Sequence, residues 1–227
     1  MRIAIDPMSI TPTTEATELI ATRRSARGTF DGTPIDHAEL REIVSCGLAA
    51  PSSKNARPWR FHVVTDRRLL GSIADAAVGA PDIDGYVPTD AATGRLQPWG
   101  SSVVESAALL RSAPAAIFIE NSGVFSSGRP ALIAASREVL EAALIGYTFE
   151  AIGIGTAIEN ILLAAHALGV HGTFMGDLLI VEEIIATSIG VQSDLVGVIV
   201  LGRGDLSVPA PLPLELPDEY DLVTWHS

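Results

Sequence analysis

The stretch from Ala142 to Val170 most limits what this chain can become. It is the most apolar part of the sequence, too long for a strand, and it must find a lipid or a protein interior. Glu150, Glu159 and Asn160 interrupt it, and each would be costly in hydrocarbon, so the stretch predicts a buried core helix. Its apolar stripe starts upstream at Leu132, Val139, Leu140, Ala143, Leu144 and Tyr147, and resumes at Ile154, Ile158, Ile161, Leu162 and Ala165. Gly146, Gly153 and Gly155 mark either a break or close helix contacts within it.

Shorter elements are announced by their caps. Thr13 or Thr14 can cap a helix through Leu19 and Ile20, and Asp36 with Glu39 forms a capping box before Leu40, Ile43, Val44, Gly47 and Leu48. That helix must stop before Pro51. Trp59, Phe61 and Val63 alternate with Arg60, His62 and Val64 as in a strand, and Asp66 caps a further helix through Leu69, Leu70 and Ile73. Val103 to Leu110 reads as helix, Ala115 to Glu120 as a buried strand, and Gly172 to Gly176 as a short extended piece. A helix from Glu182 to Ile189 is closed by Gly190, and Val196 to Leu201 is a second buried strand. Asn121 to Arg129 reads as a loop, and Gly79 to Ser102 as a long irregular excursion of the kind that serves as a lid. The sum is an α+β fold, a small sheet among many helices, in a single domain over 1–227. Its core is about 13–206, with a loop-rich region at 79–129 and a proline-rich extended arm at 207–227.

Composition removes several functions. A net charge of −12 opposes general binding to nucleic acid or anionic membrane. Cys46 is the only cysteine, and the five histidines lack ligand spacing with carboxylates, so no structural metal is expected. Met1 to Glu15 has no basic stretch followed by an apolar core, and a cytoplasmic location is expected.

Three segments can carry chemistry. Arg23-Arg24-Ser25-Ala26-Arg27 leaves a helix and enters a turn; it is either a phosphate site or a basic helix end complementing the macrodipole. Pro51-Ser52-Ser53-Lys54-Asn55-Ala56-Arg57-Pro58-Trp59 is either a ligand-contacting loop or an ordinary helix-to-strand turn, with Trp59 in the core. In the helix around Glu159-Asn160, His166 reads as a satisfied helix histidine and Asn160 as a backbone hydrogen-bonder. Arg203-Gly204-Asp205 is an adhesion tripeptide by letters only, and Gly153-Ile154-Gly155 lacks the strand and third glycine of a dinucleotide fingerprint.

In this order and spacing, the three segments, with Phe30 after the first and Phe61-His62-Val63-Val64 after the second, resemble the nitroreductase family of FMN enzymes. The resemblance runs from about Glu18 to Gly202 and implies a three-layer α/β/α fold with a small, mainly antiparallel sheet. It also implies an obligate, domain-crossing homodimer with FMN at the interface. By position, Arg23, Arg24 and Ser25 would take the phosphate and ribityl end, and Arg27 the N1/O2 edge of the ring. Pro51, Ser52, Ser53 and Asn55 would come from the other subunit, while Phe174, Met175 and Gly176 would pack on the flavin and Arg203 would add to the phosphate site. Arg57 replaces the family's usual glutamine, the arm from Ser207 onward has no Lys or Arg, and no Asn/Lys pair for the flavin pyrimidine stands near Glu105. The implied activity is ping-pong hydride transfer from NAD(P)H through FMN to a small electron-poor acceptor, a nitroaromatic or quinone. No side-chain nucleophile is required. An FMN-dependent dehydrogenase or oxidase of a peptide-derived substrate, and a flavin-binding or storage protein without turnover, are the alternatives.

Overall fold

A computed structural model describes residues 14–87 and 100–204. The expected arm at 207–227 and residues 88–99 of the loop-rich region lie outside them. Among the described residues the chain forms α1 (Glu15–Thr22), α2 (His37–Leu48), β1 (Trp59–Val64), α3 (Arg67–Val78), α4 (Ser102–Ser112) and β2 (Ala115–Asn121). It continues with α5 (Gly128–Ala134), α6 (Arg137–Ala167), β3 (His171–Met175), α7 (Glu182–Ile189) and β4 (Asp194–Gly202).

Local chemistry sets most of these boundaries. Thr14 accepts from the Thr17 amide, Asp36 and Glu39 close the expected capping box, and Asp66 accepts from the amides of Arg68 and Leu69. Gly190 ends α7 at φ +75°, a conformation that suits glycine.

The strands run in the order β1-β2-β4-β3, each neighbouring pair antiparallel. Period-two alternation then divides the core in two. Ala116 and Phe118 of β2, with Val198 and Val200 of β4, face α3, α4 and α7. Ala115, Ile117 and Ile119, with Ile199 and Leu201, face α2 and α6. Helices thus cover both faces of the sheet, giving the expected three layers.

One expectation changes and one open alternative closes. Asn121–Arg129 is not all loop, because α5 begins at Gly128 behind Ser127 at φ 61° with no side-chain cap. Nor does α6 break: it is one helix of 31 residues, and two of its glycines are points of close approach instead. A Cβ on Gly146 would come 3.1 Å from the Phe125 carbonyl oxygen, and one on Gly153 would come 3.2 Å from Ser52 Cβ. The helix is also only half a core helix. Ile154, Ala157, Ile161 and Ala165 are buried, whereas Leu144, Ile145, Phe149 and Ile152 are exposed. By length and composition alone it could cross a membrane, but its inner face is built into the α2 side of the core. Its buried Glu150 accepts four hydrogen bonds, from Asn121 Nδ2 at 2.9 Å, the amides of Phe125 and Ser126 at 2.6 and 2.8 Å, and Ser126 Oγ at 2.6 Å.

At the end of β4, a Cβ on Gly202 would lie 2.5 Å from the Phe30 ring and 2.9 Å from Pro114 Cδ. Neither ring can step aside cheaply. Gly202→Ala should therefore cost about 1–3 kcal/mol, read as a thermal midpoint lowered by roughly 2–4 °C per kcal/mol. An unchanged midpoint would show that the Phe30 turn yields freely.

Candidate functional site

The arginine segment begins where α1 ends, at Arg23 with φ −59° and ψ 132°, so its charges follow the helix and none lies in its last turn. The chain is then fastened to β3: the Ala26 amide donates to the Gly172 carbonyl at 3.3 Å and Thr173 Oγ1 donates to the Ala26 carbonyl at 2.7 Å. Ala26 is fully buried while Arg27 is exposed, so the fastening presents Arg27 at the end of the sheet.

There the turn meets a cleft of about 710 Å³. Arg27, Gly28 and Thr29 form one part of its wall, and Phe174, Met175 and Gly176 at the end of β3 form another. The volume suits a cofactor or drug-sized ligand, for which sites span roughly 300–1,000 Å³. Gly176 has open space where a Cβ would stand, so its backbone is approachable. The rest of the wall was not legible in advance. Ser102, Glu105, Ser106 and Leu109 come from one face of α4, at i, i+3, i+4 and i+7, and Asp177 follows Gly176. The spacing on α4 was the available signal.

The other predicted residues are dispersed. Arg23 Nε donates to Glu159 at 3.0 Å. Arg24 Nη1 donates to the Arg23 carbonyl at 2.6 Å, while its buried Nε has no partner among the described residues. His166 Nε2 lies 3.0 Å from Thr22 Oγ1, and burial, then Arg23 and His171, push its pKa below the usual histidine value. Asn160 Nδ2 donates to the Cys46 carbonyl at 3.1 Å, holding the end of α2 to α6. Arg203 is committed elsewhere: its guanidinium grips Glu39 at 2.7 and 3.4 Å and is not brought to the cleft. That contact is the main reason the Glu39 carboxyl stays below the usual glutamate pKa.

Nor does the 51–57 segment line the cleft of its own chain. It is folded onto the middle of α6, where Thr156 Oγ1 donates to the Pro51 carbonyl at 3.0 Å. Ser52 Oγ accepts from the Arg57 amide at 2.9 Å, and Arg57 Nε donates to Asn55 Oδ1 at 3.3 Å. Lys54, Asn55 and Arg57 have φ of 51°, 54° and 49°. Left-handed backbone costs a non-glycine residue about 1–2 kcal/mol, and such strain concentrates at functional sites. The segment borders the exposed apolar stripe of α6.

The Nitroreductase family model matches residues 20–203. The chain belongs to the nitroreductase family. Its relatives include the 4-nitrobenzoate reductase of Pseudomonas putida, 33% identical over 36% of this chain and 39% of that protein. The matched stretches span only 27% to 39% of the lengths of such curated relatives. Among solved structures, a nitroreductase with bound FMN from Desulfitobacterium hafniense is 20% identical, covers 95% of this chain and all of that one, and gives a TM-score of 0.63. The NADPH:FMN oxidoreductase of Vibrio harveyi, solved with NAD+, is 20% identical over 92% of this chain and 76% of that one, also at 0.63. At this identity the two structures establish the shared nitroreductase fold.

Proposed function

We propose that the protein is an FMN-dependent NAD(P)H oxidoreductase acting on small electron-poor acceptors. The observation that carries the reading is the cleft itself, where an exposed arginine, Phe174, Met175 and the approachable backbone of Gly176 share one cavity. Two features of the chain's own residues support FMN as the ligand. Arg24 holds a buried guanidinium nitrogen without a partner among the described residues, and the Arg23–Ser25 run enters the Arg27 turn. Arg23, Arg24 and Ser25 would hold the phosphate and ribityl end, with Arg27 placing a permanent positive charge where reduction adds negative charge. Phe174, Met175 and Gly176 would form the floor under the ring. The chemistry supplied by FMN held there would be hydride and electron transfer between a nicotinamide donor and the acceptor.

The same reading assigns a homodimer. The 51–57 segment and the exposed face of α6 stand together, away from the chain's own cleft. Burying that face against a second copy would bring Pro51, Ser52, Ser53, Asn55 and Arg57 to the partner's cleft. A two-fold contact makes the exchange mutual.

Arg23→Ala should weaken FMN binding about 10–100-fold, the loss of one or two charge-assisted hydrogen bonds. Fluorescence titration of the apoprotein reads it. Glu159→Gln breaks the same ion pair with Arg23 and should leave affinity near that of the unmodified protein. Equal affinity in Arg23→Ala would remove Arg23 from the site. A purified protein that neither carries nor binds FMN would end the reading.

A further inference from the structure

One acceptor on the cleft wall is prepared and unused. Ser106 Oγ donates to Asp177 Oδ2 at 2.9 Å, tying the carboxylate to α4. The other oxygen, Oδ1, is buried and has no hydrogen-bond partner among the described residues. A buried carboxylate oxygen without a donor is costly, and native structures rarely keep one without a reason. Asp177 and Ser106 both line the cleft. Oδ1 has almost no open surface as it stands, so a ligand lying there supplies the missing donor when the Asp177 carboxylate turns toward the cleft.

Such an oxygen repels phosphate, carboxylate and carbonyl groups and calls for an N–H or O–H. FMN offers two kinds of donor, its ribityl hydroxyls and the single N–H of the oxidised ring, the imide N3–H of its pyrimidine edge. Asp177 directly follows Phe174–Gly176, the proposed floor under the ring, which favours the ring donor. Resting on the FMN reading above, we infer that Asp177, positioned by Ser106, accepts a hydrogen bond from that N3–H. It is thus the residue that selects an unsubstituted pyrimidine edge. The assignment fills a gap left by the sequence, where the region around Glu105 offers no Asn/Lys pair for this edge. It also changes the charge of the wall. Glu105 and Asp177 are the described carboxylates of the cleft, and Arg27 its described cation. The Asp177 charge beside the pyrimidine opposes the arrival of electrons and offsets part of the stabilisation that Arg27 gives the reduced flavin.

The test compares FMN with 3-methyl-FMN, whose N3 has no proton. Apoprotein titrated with each should bind the methylated flavin at least about tenfold more weakly, the equivalent of one hydrogen bond to a charged acceptor. Asp177→Ala should weaken FMN and bring the two affinities together, and Ser106→Ala should narrow the gap. Asp177→Asn keeps an acceptor but removes the charge, so the bound flavin's midpoint potential should become more positive. Equal binding of both flavins by the unmodified protein overturns the inference while leaving the FMN reading intact. Full discrimination retained in Asp177→Ala also overturns it. Binding of neither flavin instead removes the FMN reading on which it rests. If Asp177→Ala does not fold, the two flavins on the unmodified protein decide the matter.

Discussion

Glu150→Leu should destabilise the protein by about 3–5 kcal/mol, because several buried donors lose their shared acceptor at once. Leucine fills much of the space but leaves the Asn121 amide, the Phe125 and Ser126 amides and the Ser126 hydroxyl facing an apolar group. Urea unfolding should show a lower midpoint with an unchanged slope. Glu150→Gln should cost less, about 1–3 kcal/mol, since one oxygen still accepts. The pH dependence is a sharper check. Burial alone would raise the Glu150 pKa, but hydrogen bonds from Ser126 and Asn121, then from the Phe125 and Ser126 amides, outweigh it and hold the carboxyl below its ordinary value. A folded pKa below the unfolded one means the stabilisation is fully present above the ordinary glutamate range, about 4.3. It is lost as pH falls through the lower folded value. The stability gap between the unmodified protein and Glu150→Leu should therefore narrow on acidification. A gap that stays constant to low pH would show that leucine fails for steric reasons.

Glu150 also marks where sequence reasoning reaches its limit. As a charge in an apolar run it argues against lipid, but nothing local says that Asn121 and Ser126 will meet it. The elements that were legible carry their causes within a few residues: the Asp36–Glu39 box, the Asp66 cap, the Gly190 stop and the alternation of Trp59, Phe61 and Val63. Gly146 and Gly153 left break and close approach equally open, because a mid-helix glycine's propensity cost of about 1 kcal/mol can be offset only by packing that is not local. α5 was hidden by its start, a left-handed Ser127 and Gly128 with no side-chain cap. At the candidate site, Arg27 lies in a continuous motif and Phe174–Gly176 follows from the resemblance by position, and the structure sets both on one cleft. Ser102, Glu105 and Ser106 escaped because their only signal is a shared face of α4, and Asp177 because it stands alone after Gly176. Arg203 shows the converse: its place after β4 suits a phosphate contact, but Glu39 on α2 claims its guanidinium.

Ile145→Asp combined with Ile152→Asp should convert the proposed dimer into monomers and empty it of FMN. Ile145, Phe149 and Ile152 are 51%, 46% and 60% exposed and recur at i, i+4 and i+7 on α6, so they form one continuous apolar stripe. Monomeric soluble proteins rarely leave such a stripe open to water, and a rim of polar groups around it marks an interface. The neighbouring Pro51–Arg57 segment supplies the polar part and is held to the same helix through Thr156. In a two-fold interface every substituted residue appears twice, so the double variant sets four carboxylates into a buried apolar contact. Even a modest penalty for each should raise the dimer dissociation constant by at least about a thousandfold. The same positions are solvent-exposed in the single chain, so monomer folding should survive, and circular dichroism should be unchanged. Light scattering coupled to size exclusion reads the mass, and the flavin-to-protein absorbance ratio reads occupancy. The two losses should occur together, since each cleft would depend on the other chain's 51–57 segment. Monomers that keep a full complement of FMN would show that one chain completes its own site, and would return that segment to the role of an ordinary turn.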